Sequence, residues 1–508
     1  MFVRKKQNIS GSVSIQIIDK SHGYRVVETI GSARDPDDVE RLVQEGRGIL
    51  RDNHGAQQKL FSIKTREDYA IEIFLKELKN AQIRTIGPEL IFGALFDRIG
   101  FNAITDELFR HIVIARLAYP TSKLKTVDYL YRYKGIRVHV QTVYRFLDTL
   151  HRRYKEQAER IAYAYTQRIL GTVAVVFYDM TTLYFESDDE DNFRKIGYSK
   201  DGTFQHPQIM LGLLVGRDGY PIGYDIFEGN TFEGHTLIPT LEKIQKKYGF
   251  KKPIVVADAA LLSKDNLKKL GEAKYRFIIG ARIKNETDAI KTDILTRAQG
   301  IKDGENFVIN KPDGTKLVVT SSDKRARRDA YNRERGLRKL RLRVKSGRLT
   351  KEHITNRGYN KFLTLEGKVA VAIDESKITQ DSQWDGLKGY VTNADIPAEE
   401  VVEQYGHLWH IEKAFRISKT DLRVRPIFHR LKKRIEAHLC IAFVAYAIYK
   451  ELERLLVERG MKFSPKRASE LTHNMYALEY ILPNSVRTEK VTLKMDSEQQ
   501  IIYDIIHK

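Results

Sequence analysis

Between residues 171 and 284, apolar positions come in short unbroken runs instead of the spaced stripes of an amphipathic helix. Residues 172–179 (TVAVVFYD) are nearly continuously apolar, which predicts a strand covered on both faces. Residues 208–216 and 221–229 flank the turn Arg217-Asp218-Gly219-Tyr220 and predict a hairpin. A helix is predicted at 235–248, a strand at 253–258 (PIVVAD), a helix from 263 to 271, and a strand at 275–282. Three strands followed by alternating helices and strands predict a mixed sheet with an antiparallel edge and a parallel core.

The flanks read differently. Residues 12–30 alternate apolar and polar and predict a small strand pair, within a β/α region spanning 1–87. From 88 to 165 the period becomes helical. There, residues 122–132, a turn containing Gly135 and residues 140–154 have the dimensions of a helix-turn-helix, which would place Arg145, Arg152 and Arg153 near phosphates. Taken alone, plain helical packing accounts for the same pattern. The core's first part (171–284) is followed by an insertion (285–385) that predicts a hairpin at 306–322, a strand at 368–374 and a β-rich character. Pro397, with Glu399 and Glu400 behind it, opens a predicted helix running to Lys419. An apolar helix at 431–455 completes the core's second part (386–455), and 456–508 is a mixed C-terminal region.

Charge changes the picture. In 508 residues, 87 lysines and arginines against 66 acids leave a formal +21, which points to a polyanion as partner, nucleic acid ahead of an anionic membrane. Within 324–351, thirteen cations face only Asp329 and Glu334; Arg325, Arg327, Arg328, Arg338, Lys339, Arg341 and Arg343 are the candidate phosphate contacts of this basic arm. A hydrophobic content of 42% supports real cores and excludes disorder of the whole chain. The longest uncharged apolar run, 439–449, is about half the length a bilayer requires, so no membrane partner is expected. One cysteine, Cys440, excludes a disulfide framework and a cysteine zinc site, and the chain is expected in the cytoplasm.

Two acids stand out. Asp179 and Asp258 each end an apolar strand, and neighbouring parallel strand ends lie only about 4.8 Å apart, where open α/β sheets bind ligands. A single such Asp is usually a turn residue. A third acid, Glu412, lies seven residues from both Tyr405 and Lys419 on the predicted helix, a stripe that also carries Leu408, Phe415 and Arg416. An ion pair with Arg416 at i+4 is the plain alternative for Glu412. Three convergent carboxylates form a hard oxygen site suited to Mg²⁺ or Mn²⁺, and two such ions can serve an in-line phosphoryl displacement. Phosphate-loop, nucleophile-elbow and zinc-protease motifs are absent. His407 and His410 lie within reach of a metal on the Glu412 helix, although polar helix positions explain them as well; Trp384 and Trp409 are candidates for stacking on an unpaired base or for core packing.

With these residues in view, the chain resembles the DDE transposases of bacterial insertion sequences, in the branch whose ribonuclease H-like core is interrupted by a β-rich insertion before the last acid. That branch carries Tyr, two residues, Arg, three residues, Glu, six residues, Lys. Here Tyr405, Glu412 and Lys419 match, and Leu408 stands at the Arg position. The phrases FYDMTTLYFE, EGNTFEGHTL, VVADAALLSKDNL and RVRPIFHRLKKRIEAHL occur in the family's order. The resemblance implies that Asp179, Asp258 and Glu412 hold two Mg²⁺ or Mn²⁺ ions and catalyse. It implies cleavage at the element's ends and transfer of the freed 3′-hydroxyl into target DNA. Tyr405, Arg416 and Lys419 would contact DNA carrying terminal inverted repeats. The working form would be a homodimer or larger synaptic complex on DNA, associated with the bacterial nucleoid. Two alternatives stay open: a ribonuclease H-like nuclease without strand transfer, and a domesticated, non-catalytic DNA-binding protein.

Overall fold

The computed structural model describes the chain apart from residues 21–22, 53–65, 80–81, 188, 200–201, 203–204, 250, 262, 348, 367–369 and 482–486. The chain divides into two compact units, Met1–Gln82 with Tyr480–Glu489, and Ile83–Glu479 with Lys490–Lys508. In the first, β1 (Phe2–Gln7), β2 (Val13–Asp19) and β3 (Arg25–Ala33) form an antiparallel meander. Helix α1 (Pro36–Asp52) covers it through Val39 and Val43 against Ile15, and α2 (Arg66–Glu77) follows. The strand pair predicted for 12–30 is β2 with β3.

The second unit opens with β4 (Ile83–Thr85) and the helices α3 (Ala94–Ile99), α4 (Glu107–Ala118), α5 (Lys123–Lys134), α6 (Val140–Thr149) and α7 (Lys155–Leu170). Helix α5 is bounded as its ends dictate: the Ser122 side chain caps the Lys125 N–H and Gly135 closes it at φ 72°. The second helix of the predicted pair ends at Thr149, five residues early, where a π-type turn (Leu150–Tyr154) leads directly into α7.

The core sheet follows the predicted order. Its strands β5 (Val175–Tyr184), β6 (Gln208–Val215), β7 (Pro221–Glu228), β8 (Ile254–Ala257) and β9 (Arg276–Ala281) enclose α8 (Leu237–Tyr248) and α9 (Lys264–Glu272) in the chain. β5–β6–β7 are antiparallel, and β8 and β9 run parallel to β5, which is the ribonuclease H-like arrangement. The β6–β7 turn holds Asp218 and Gly219 at φ 59° and 78°, the positive pair that a tight hairpin requires.

The insertion departs from expectation. It contains α10 (Asp288–Arg297), β10 (Asn306–Asn310), β11 (Lys316–Ser321), α11 (Asp323–Lys345), β12 (Leu363–Glu366), β13 (Ala370–Ile373) and α12 (Glu375–Ser382). The hairpin β10–β11 does not form a separate β layer; with β14 (Leu387–Thr392) it extends the core sheet to eight strands in the order β10-β11-β14-β9-β8-β5-β6-β7. The basic arm is mostly the 23-residue helix α11, longer than any strand of the insertion. Its Leu337 and Leu340 pack on Phe362 and Leu363, so a small apolar core of its own fixes the helix. The strand predicted from 368 begins among residues outside those described and continues as β13.

Helix 397–419 is not continuous. α13 (Ala398–Gly406) and α14 (Trp409–Arg416) are separated at His407-Leu408, where bonds from Leu408 N to Tyr405 O and from Ile411 N to Leu408 O tighten the turn to i→i−3; a π-type turn (Ile417–Asp421) follows. α15 (Lys432–Glu458) is buried along nearly its whole length, so the apolar run at 439–449 is the spine of the larger core. The chain ends with α16 (Pro465–Thr472), β15 (Tyr476–Ile481), β16 (Thr488–Thr492) and α17 (Ser497–His507). Among the described residues no helix is long and apolar enough to cross a membrane.

Candidate active site

The register of the parallel pair sets the first two acids. Tyr178 pairs with Ala257, so Asp179 and Asp258, each the next residue, stand at one level of adjacent strands. Asp179 does not end its strand as expected: β5 continues to Tyr184, held by its antiparallel pairing with β6, while β8 stops at Ala257, and Asp258 is exposed where the strands part. Alternation along β5 places Asp179 on the face of Phe177 and Leu183, which pack in the same core as Ile411, Ala414 and Phe415 of α14. α14 therefore covers the face that carries Asp179, and Glu412 is presented from it, exposed and without an ion pair among the described residues. The Arg416 pair that would have explained Glu412 structurally is not formed.

Tyr405 joins the helix layer to the strand ends. Expected at DNA, it is only 6% exposed, and its hydroxyl donates to Asp258 Oδ1 at 3.2 Å. The same oxygen accepts from Ala259 N at 2.6 Å, while Asp179 Oδ1 accepts from Met180 N at 2.7 Å. Burial above all, then the Asp258 charge, pushes the Tyr405 hydroxyl above its ordinary range, so it remains a proton donor. Room for it comes from Gly280 on β9, where a Cβ would sit 2.5 Å from the Tyr405 hydroxyl oxygen.

Lys388, which the sequence pattern did not single out, is the electrostatic junction. Its ammonium lies 4.3 Å from the Tyr405 ring centre and 5.4 Å from that of Tyr390. Burial lowers its pKa, Arg325 and Arg328 lower it further, and Asp258 and Glu412 pull it back up. The start of α11 and two of the three acids therefore bear on one side chain. A signal for it does exist: Lys388 and Tyr390 alternate in phase along a strand.

The other candidates divide. Arg416 is exposed, and Lys419 is half-buried beside Thr181, two residues along β5 from Asp179. Arg327, Arg328, Arg338, Lys339, Arg341 and Arg343 are exposed; Arg341 pairs with Glu334 at 3.0 Å, and half-buried Arg325 lies 3.5 Å from Asp329. Arg333 is structural, held bidentately by Asp385 at 2.5 Å, and Arg348 lies outside the described residues. Leu408 is 8% exposed, which leaves little room for the arginine of the signature. His410 is turned toward Asp218 at 3.9 Å, and burial lowers its pKa to about 4. Trp384 lines a cleft beside Arg325 and Lys388, and Trp409 is half exposed against His410.

The Transposase DDE domain model matches residues 174–448, more than half of the chain and the whole span from β5 into α15. The chain belongs to the DDE transposase family. A DDE transposase acts on DNA, in a family that depends on divalent metal ions. No curated protein matches it. Among solved structures, it is similar to a piggyBac transposase synaptic complex with hairpin DNA, at 11% identity and TM-score 0.37, over 72% of this chain and 69% of that one. It is also similar to a Mos1 transposase paired-end complex with left transposon end, at 12% identity and TM-score 0.16, over 51% and 69%. A Mos1 mariner paired-end complex with Mn matches at 13% identity and TM-score 0.15, over 46% and 67%. These likenesses are too distant to assign a role to any residue.

Carboxylates without thiol or imidazole, as Asp179, Asp258 and Glu412 are, suit a hard cation such as Mg²⁺ or Mn²⁺. The cluster is not closed: among the described residues no three His, Cys, Asp or Glu side chains lie near enough to share an ion.

Proposed function

We propose that this transposase cuts DNA at the ends of an insertion sequence and joins the freed 3′-hydroxyls to target DNA, with Asp179, Asp258 and Glu412 as its catalytic carboxylates. The observation that carries this reading is the level placement of Asp179 and Asp258 on parallel strands, on the face that α14 covers with Glu412. The three acids would hold Mg²⁺ or Mn²⁺, two ions in the full site, which supply charge neutralisation and activation of the attacking oxygen. The chain's own groups do the rest. Tyr405 fixes the rotamer of Asp258, and Lys388 offsets the negative charge between Asp258 and Glu412. Arg416, Lys419 and the exposed cations of α11 contact backbone phosphates. Two ends bearing inverted repeats would be held by a dimer or larger assembly.

The test uses duplex DNA carrying the repeats that bracket the gene. Asp179→Ala, Asp258→Ala and Glu412→Ala should each abolish Mg²⁺-dependent cleavage and leave end binding largely intact. Cleavage near the wild-type rate in any one of them removes that residue from the site. Cleavage without joining in the wild-type protein would leave a nuclease.

A further inference from the structure

A second cationic site lies away from the carboxylates, where the start of α5 meets the segment before α15. Lys123 is 4% exposed and Arg116, on α4, 5% exposed; both line a pocket that also receives Arg423, Arg425, His429 and His438. Among the described residues no carboxylate lines it. Among the described residues Arg116 reaches only the carbonyls of Leu422 and Arg423, both at 3.4 Å. Lys123 has no hydrogen bond or ion pair among the described residues. His438 bonds Val424 O through Nε2 at 3.0 Å, and its Nδ1 is buried with no partner. The first-turn N–H groups of α5, capped by Ser122, border the same space.

Burying the Lys123 ammonium and the Arg116 guanidinium without a counter-charge is unfavourable, and native chains rarely keep such an arrangement unless something fills it. Desolvation lowers Arg116 to about 10 and Lys123 well below its usual range, the two cations repel each other, and His429 falls to about 3. An anion with several acceptor oxygens would answer all of these groups and the helix N-terminus at once.

We infer that this pocket binds a phosphate group, and that in the working protein this is a phosphate of the DNA backbone. The placement supports the DNA source. Arg425 lies 5.6 Å from the ring centre of Tyr184, five residues beyond Asp179 on β5, or about 16 Å along the strand. At about 3.4 Å of duplex axis per phosphate on one strand, that is about five nucleotides from the carboxylates. Only the choice of DNA as the source rests on the proposed function. A chain that cannot cleave would still hold phosphate here, and one that cleaves without this contact would sink only the pocket.

The experiment uses the full chain with Lys123→Met, and Lys123→Gln as a second variant should the first fold poorly. Two probes are applied: inorganic phosphate against chloride at constant ionic strength, read by thermal unfolding, and duplex DNA, read by affinity across a salt series. The expected result is that phosphate raises the unfolding midpoint of the wild type only. Without phosphate, Lys123→Met is at least as stable as the wild type, since an unpaired buried charge is gone. The log–log salt slope for DNA falls by about 0.9, one phosphate contact. A phosphate effect abolished in the variants with an unchanged DNA slope overturns the backbone source and assigns the pocket to free phosphate. Variants that respond to phosphate as the wild type does, with the same DNA slope, overturn the inference altogether.

Discussion

Gly280→Ala is the sharpest perturbation that the geometry offers, because it presses hardest on the Tyr405 hydroxyl and more lightly on Ala259 N, the two groups that donate to Asp258 Oδ1. A methyl at 280 would lie 2.5 Å from the Tyr405 hydroxyl oxygen and 3.1 Å from Cζ, against the 3.4 Å at which ordinary contact begins. The hydroxyl must therefore retreat by about 0.9 Å, from a bond to Asp258 that is already 3.2 Å long. That bond breaks. A hydrogen bond to a charged group is worth about 1.5–3 kcal/mol, so removal of this constraint should slow cleavage by about 10- to 100-fold if Tyr405 is what orients Asp258. Tyr405→Phe removes the same bond without the clash and should match it. The double variant decides between mechanisms. With the hydroxyl gone, Gly280→Ala still meets Cζ at 3.1 Å and Ala259 N at 3.3 Å, milder contacts than the one removed, so the two effects combine less than additively. Turnover with saturating DNA, measured beside DNA affinity, is the assay; turnover falls and affinity holds. Fully additive losses, or a Gly280→Ala protein with wild-type turnover, would refute the positioning role of Tyr405.

Other outcomes follow from the same structure. Arg327→Gln with Arg328→Gln should lower the salt slope of DNA binding by about 0.9 for each phosphate that is no longer neutralised, whereas Arg333→Ala, which breaks the pair with Asp385, should leave the slope alone and cost about 2–4 kcal/mol in urea unfolding. His410 is neutral in the folded protein with its pKa lowered to about 4, so the unfolded chain binds more protons between there and about 6.5. Stability is full above that window and falls as pH drops through it, by up to about 3 kcal/mol, and His410→Gln should flatten this part of the pH–stability curve. Leu408→Arg, harmless if position 408 faced DNA, should destabilise the chain by about 2–4 kcal/mol, because it places a guanidinium in the core; an unchanged urea midpoint would show that the site opens outward.

Strand order and the strand end at Asp258 were legible because both rest on local signals. Runs such as VVFY and IVVA are too apolar for a one-sided strand, and Asp258 does follow the last residue of β8; Asp179 does not end its strand, because β5 continues through it to Tyr184 in antiparallel pairing with β6. The insertion resisted because sheet membership is non-local. The hairpin Asn306–Ser321 alternates as any hairpin does, and only its pairing with β14 makes it part of the core sheet. The break at His407-Leu408 follows Gly406, the last residue of α13 and a poor helix former, a local signal that the reading of one continuous helix passed over. That break also explains why Tyr405, seven residues from Glu412, turns inward to Asp258 instead of sharing an exposed stripe. Gly280 and Lys388 carry no motif; each matters only through what another element brings against it.

The claim on which the account stands is that Asp179, Asp258 and Glu412 serve one divalent-metal centre. The most direct measurement replaces each in turn by cysteine and compares cleavage of element-end DNA in Mg²⁺ and in Mn²⁺, a softer ion that tolerates thiolate better. The native thiol, Cys440, is buried and does not interfere. The account predicts three proteins dead in Mg²⁺ and each partly restored by Mn²⁺. Any one of them cutting in Mg²⁺ at the wild-type rate would contradict it.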